Sequence, residues 1–136
     1  MYEDNQQHCN TCHRLNNSYY KTSIYSTSNI LILILNYGKG ILFECDVEFD
    51  EKINISKYVE AKGCPVNYRL LGIIVHIGPS SMSGHFIAFC RGINDKEQWY
   101  KLNDSIVSKA TFSDIKNAGM PYVLFYENTD AYLSEI

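Results

Sequence analysis

His85 follows a run of small residues, Ser80-Ser81-Met82-Ser83-Gly84, and opens an apolar stretch beginning at Phe86. An imidazole at the edge of a glycine-containing loop can take the proton of a thiol, provided another group fixes its second nitrogen. Asn103 and Asp104, which close the stretch Gln98–Leu102, are the candidates for that group. If Phe86–Arg91 and Gln98–Leu102 are strands pairing antiparallel about Gly92-Ile93-Asn94-Asp95, their far ends become neighbours and His85 can meet Asn103. An amide in the third position orients the imidazole but stabilises its positive charge less than a carboxylate does. His76 is different: inside an apolar run, it reads as a core or edge histidine and not as a catalyst.

The thiol itself is harder to find among the five cysteines. Cys9 and Cys12 precede a polar stretch, with no glycine turn or apolar helix to lower a thiol pKa. Cys45 and Cys64 fall on an expected strand and in a loop before Pro65, and Cys90 sits on the same expected strand as His85. Cys9-x-x-Cys12 has instead the spacing of half a tetrahedral zinc site. His8 and His13 flank it, but three ligands from one short loop make an awkward geometry. The run Cys9-Asn10-Thr11-Cys12-His13 also fits a haem-attachment pattern, which the lack of an export signal disfavours. Two free thiols are the plain alternative.

The elements that would carry these residues are mostly strands. Residues 1–29 are polar and read as extended or loop structure. Ile30–Leu35 is short, branched and apolar at every position, as expected of a strand buried on both sides. After the turn Gly38-Lys39-Gly40, residues 41–49 alternate, which predicts a strand with one buried face. Ile53–Val59 could hold one helical turn. Asn67–Ile77 is a second apolar strand ended by Gly78-Pro79. Ser113 as N-cap and Gly119 as stop bound a short helix, and Tyr122–Tyr126 is the last strand. The expected class is α+β, a mainly antiparallel sheet with short helices.

The chain has 136 residues, enough for one domain or a large piece of one, and no linker or repeat divides it. Hydrophobic residues at 46% demand a packed core and exclude a disordered chain. A net charge of -3 leaves no basic excess for nucleic acid or an anionic membrane. The longest aliphatic run, Ile30–Leu35, is far short of the ~20 residues that span a bilayer. With no signal peptide and an odd number of cysteines, a reducing cytoplasmic or nuclear compartment is expected.

The order Tyr68-Arg69-Leu70-Leu71-Gly72-Ile73-Ile74-Val75-His76, Gly78, Ser83-Gly84-His85-Phe86, Trp99 to Val107 and Tyr122 to Tyr126 resembles the histidine box of the ubiquitin-specific proteases. These are papain-like cysteine enzymes that cleave after the terminal glycine of ubiquitin. Cys9-x-x-Cys12, Lys21 and the strand from Asn29 to Leu35 are similar to that family's finger-to-palm segment. The resemblance implies a partial catalytic domain, residues 1–29 ending the fingers and 30–136 forming the palm. It implies His85 as general base and acid, Asn103 as its orienting group and Asp104 as support. Gly78, Gly84 and Phe86 would line the channel for ubiquitin's Gly-Gly tail, where walls without side chains suit a substrate without them.

The same resemblance implies ubiquitin or ubiquitinated proteins as partners, with neither nucleic acid nor membrane. Catalysis needs no cofactor, and structural zinc at Cys9 and Cys12 belongs to a complete domain. The family's nucleophile box has no counterpart here, so the isolated chain is expected to be inactive, with a non-catalytic ubiquitin-binding or scaffold module as the alternative. Ile30–Leu35 needs cover on both faces, while Ser113–Ala118 is the one obvious helix. An exposed apolar patch is therefore expected.

Overall fold

In the computed structural model, the described residues are 6–17, 21–37, 47–80 and 83–130. The expected turn at 38–40 and most of the expected strand at 41–49 lie outside them, and residues 47–50 carry no strand.

A small hairpin, β1 (Gln6–His8) and β2 (Leu15–Asn17), opens the described chain. The remaining strands form one sheet: β3 (Ile30–Ile34), β4 (Lys52–Asn54), β5 (Asn67–Ser80), β6 (Ser83–Arg91), β7 (Trp99–Asn103), β8 (Ile106–Ala110) and β9 (Met120–Asn128). Their spatial order is β3-β9-β5-β6-β7-β8, with β4 beside the start of β5. Every ladder in it is antiparallel. The fold class is the expected α+β.

Alternation along each strand sorts the side chains onto two faces. One face carries Tyr68, Leu70, Ile73, Val75, Ile87, Phe89, Trp99, Leu124 and Tyr126, all buried. It is covered by α1 (Phe112–Lys116), which buries Ile115. The 3-10 turn Ser56–Tyr58 and the segments before β3 and β4 also lie near it. Two buried tyrosines tie these segments down: Tyr68 Oη donates to Ser28 O at 2.6 Å, and Tyr126 Oη to Asp50 O at 2.8 Å. The other face carries Ile32, Val123, Phe125, Ile74, Ala88 and Leu102, paired in register across the sheet and none of them buried.

Several sequence expectations need correction. Ile30–Leu35 is not buried on both sides. Its strand ends at Ile34, pairs among the described residues only with β9, and leaves Ile32 52% and Ile34 72% exposed. An all-aliphatic run reports a demand for cover, not its presence. The strand from Asn67 does not stop at Gly78-Pro79. It runs on to Ser80 because an irregularity between Ile77 and Ser80 absorbs the proline, which cannot donate to a ladder. The helix starts earlier than Ser113: Thr111 is its N-cap, in a reciprocal capping box with Asp114. Strands β4 and β8 had not been separated from their surroundings.

What sets the β6–β7 hairpin is a buried arginine. Arg91 Nε donates to Leu70 O at 2.8 Å and Nη1 to Lys96 O at 2.5 Å, while Nη2 pairs with Glu51. Its guanidinium lies 4.5 Å over the Trp99 ring. Each nitrogen of the buried guanidinium thus has a partner, and these bonds hold the connection 92–98 and the register of β7 against β6 together.

Candidate active site

The β6–β7 register runs from Arg91↔Trp99 to Ala88↔Leu102. Continuing it brings the start of β6 beside the end of β7. There His85 Nε2 lies 2.5 Å from Asn103 Oδ1. With Oδ1 as acceptor, Nε2 carries the proton and Nδ1 is left as the lone-pair nitrogen. Asp104 Oδ2 stands 3.9 Å from the same Nε2, close enough to stabilise an imidazolium but not to compete for the proton. Asp104 opens the two-residue turn into β8 with φ 51°, a left-handed conformation that aspartate tolerates better than most residues. His85 is half exposed and Asp104 largely exposed. Sequence reasoning named all three residues, and the antiparallel pairing brings them together.

Gly78 and Gly84 face each other across the β5–β6 hairpin, where a Cβ on Gly78 would come 2.7 Å from Gly84 Cα. Close backbone packing alone therefore requires glycine there. Phe86 is 49% exposed, edge-on between His76 and Tyr122. His76, set aside by the sequence reading, is buried directly behind this hairpin.

The described cysteines stay away from His85. Cys90 pairs with Tyr100 and Gly72, an odd number of residues from His85, and so faces the opposite side of the sheet. Cys64 lies between the 3-10 turn and β5, and Cys45 is outside the described residues. Cys9 and Cys12 sit in the β1–β2 turn, closed by Cys9 N to Arg14 O at 2.9 Å and His13 N to Cys9 O at 2.8 Å. Backbone amides of Cys12 and Thr11, with the Cys12 side chain, hold the Cys9 thiol below its usual range. That favours a thiolate. Among the described residues, however, no three potential ligands gather closely enough to hold a metal ion, so the pair contributes two thiols and no complete site.

The chain resembles known proteins over nearly its whole length. A family profile described as ubiquitin carboxyl-terminal hydrolase matches residues 2–126. The probable ubiquitin carboxyl-terminal hydrolase 16 of Schizosaccharomyces pombe is 28% identical over 130 residues, covering 92% of this chain and 28% of that protein. Ubiquitin carboxyl-terminal hydrolase 42 of Homo sapiens is 32% identical over 130 residues, covering 90% of this chain and 9% of that protein. Among solved structures, the SAGA DUB module of Ubp8, Sgf11, Sus1 and Sgf73 bound to monoubiquitin matches with a TM-score of 0.76 and 29% identity. That match covers 93% of this chain and 29% of the other. The same module bound to ubiquitin aldehyde gives a TM-score of 0.74 at 28% identity, covering 93% and 30%.

Fold and likeness together define the class, an α+β domain of the papain-like cysteine proteases. The chain belongs to the ubiquitin carboxyl-terminal hydrolase family, the deubiquitinating ubiquitin-specific proteases. It spans less than a third of the length of these relatives. Among the described residues, no helix is long and apolar enough to cross a membrane.

Proposed function

We propose that this chain supplies the base-bearing half of a thiol-dependent deubiquitinase site, hydrolysing the isopeptide or peptide bond after the terminal glycine of ubiquitin. The observation that supports it is the 2.5 Å contact of His85 Nε2 with Asn103 Oδ1, which leaves Nδ1 to accept a proton. In this reading a thiol gives its proton to Nδ1, and the thiolate attacks the scissile carbonyl. The imidazolium then protonates the departing amine, and water releases the acyl group with His85 as base again. Asn103 keeps the ring turned the right way, and Asp104 offsets part of its positive charge. Gly78, Gly84 and Phe86 flank the approach of the ubiquitin tail.

In this reading the reacting thiol comes from outside the described residues, since Cys90 on the strand of His85 faces the opposite side of the sheet, and the described part alone does not turn over substrate. The same fact favours the second reading, a ubiquitin-binding or scaffold module without chemistry. Zinc enters only as a proposal for a larger assembly: Cys9 and Cys12 would give two of the four ligands of a tetrahedral ion. An intracellular site of action, cytoplasmic or nuclear, goes with ubiquitin as partner.

The test uses the 136-residue chain, a fluorogenic ubiquitin C-terminal amide and a ubiquitin carrying a thiol-reactive warhead. Neither turnover nor labelling is expected, while ubiquitin binding by calorimetry is. Where a longer form with turnover is in hand, His85→Ala should lower kcat by several powers of ten and leave binding largely intact. Full activity of His85→Ala would remove the assignment, and absence of ubiquitin binding would remove both readings.

A further inference from the structure

The proposed chemistry gives no role to His76, although that residue is only 2% exposed and lies against the site. It pairs with Phe86 across β5 and β6, while its successor Ile77 pairs with His85. Phe86 lies edge-on to the His76 ring, their centroids 4.7 Å apart. On its other side the ring meets the main chain of the hairpin. A Cβ on Gly78 would stand 3.0 Å from His76 Cε1, and a Cβ on Gly84 would overlap both Cε1 and Nε2. Both chain neighbours of His85, Gly84 and Phe86, therefore rest on one imidazole.

The ladder itself is weakest at this point. The β5–β6 register is irregular between Ile77 and Ser80 and resumes only at the Ser80↔Ser83 pair. Packing can therefore add to backbone hydrogen bonds in fixing how high the start of β6 stands. A flat ring can lie under a main chain that lacks Cβ atoms, whereas a branched side chain of similar volume is too thick. We propose that His76 is a positioning residue: its buried ring is the floor under Gly84 and Phe86, and it sets the aim of His85 at Asn103. This rests on the reading of His85 as the base. A displacement of about 1 Å would take the 2.5 Å contact with Asn103 out of hydrogen-bond range.

The tautomer of His85 reads this directly, without turnover. The full chain, labelled with nitrogen-15 in its histidines, is compared with His76→Leu and His76→Ala by long-range proton–nitrogen spectra at about pH 8, where imidazoles are neutral. His85→Ala assigns the resonance. Wild type should show His85 in the single form protonated at Nε2. Both His76 variants should lose that form and give a mixture like that of exposed His8 and His13, while the amides around Ile115 and Trp99 stay unchanged. An unaltered His85 tautomer in the folded Leu variant would overturn the proposal. So would unfolding of both variants, since His76 would then be a core residue. Wild type already showing a mixture would instead strike at the proposed base itself, which separates the two failures.

Discussion

The two faces of the sheet are made of similar residues and meet different fates. On the covered face, Phe89 is 2% exposed and Leu124 likewise, under helix α1 and the tethered segments. On the open face, Phe125 and Val123 alternate with Leu124 along β9, are just as apolar, and are not buried. What separates the faces is what the chain can bring over them. The covered face gets a capped helix, two tyrosine tethers and an edge-to-face Phe49–Phe112 pair, rings 6.1 Å apart at 87°. The open face gets no described element. His85 and Asn103 lie at the end of the covered face, on the same alternation as Phe89 and Ile87. His85 and Asn103 thus stand on the packed side, while His76, Gly84 and Phe86 lie on the other side of the same strands.

The largest test of this contrast is a matched pair of truncations. Phe89→Ala should cost about 3–5 kcal/mol, a large part of the 5–15 available to a domain. Ile74→Ala, on the open face of the neighbouring strand, should cost about 1–1.5 kcal/mol because only part of its side chain leaves water on folding. Urea midpoints of the two variants measure both. Equal costs would mean that the open face is covered in solution.

Next in size is an alkaline transition confined to the covered face. Burial, and then the nearby Asp50 carboxylate, push the Tyr126 hydroxyl from its usual 10 up to about 12. The folded value is raised, so this contribution is fully present below pH 10 and is lost as pH rises through about 12. At full loss it amounts to about 3 kcal/mol. Tyr126→Phe should flatten the decline in stability over that window. An unchanged decline in Tyr126→Phe would assign it to another group.

Much of this was legible in the residues, for reasons that differ along the chain. The meeting of His85 and Asn103 could be read because a hairpin is a local instruction: two strand-forming runs and a turn at Gly92–Asp95 put them on one face at the same end of the pair. The edge position of β3 could not be read, since its pairing with β9 joins residues some ninety apart in sequence, Ile32 with Phe125. Nor could the run-on of β5 past Pro79, which depends on an irregular register and not on proline's own preference. His76 was read as a core or edge histidine and is buried, but its contact with Gly78 and Gly84 is a property of the folded hairpin.

A smaller effect probes the lid of the covered face. The Thr111 side chain accepts from Asp114 N at 3.2 Å, and Asp114 Oδ2 accepts from Thr111 N at 2.7 Å. The Thr111 hydroxyl also donates to Asp114 Oδ2 at 2.7 Å, and this bond first, then the one from the Thr111 backbone, holds the Asp114 carboxyl below the usual carboxylate range. Thr111→Ala should destabilise by about 1 kcal/mol. The Asp114 contribution is present above the ordinary aspartate value and is lost as pH falls through the lowered folded one. Wild type and Asp114→Asn should therefore converge in stability under acid. A gap that persists unchanged at low pH would show that the carboxylate is not what closes the helix.

The smallest expected change in stability belongs to the open face and to β3, the outermost described strand, where the consequence is association. Ile30, Ile32 and Ile34 are exposed on β3, which carries no charge and no proline along Ile30–Ile34. Natural edge strands discourage pairing with other chains by charge, proline or a bulge, and β3 has none of these. Wild-type protein should bind a hydrophobic dye and scatter light increasingly with concentration. Ile32→Lys puts a charge in the middle of that edge, on a side chain already 52% exposed. It should leave the urea midpoint within about 0.5 kcal/mol of wild type, as surface substitutions do, while lowering both dye binding and scattering. A wild-type monomer that binds no dye would show that the open face is not adhesive. The asymmetry between the faces would then concern exposure alone.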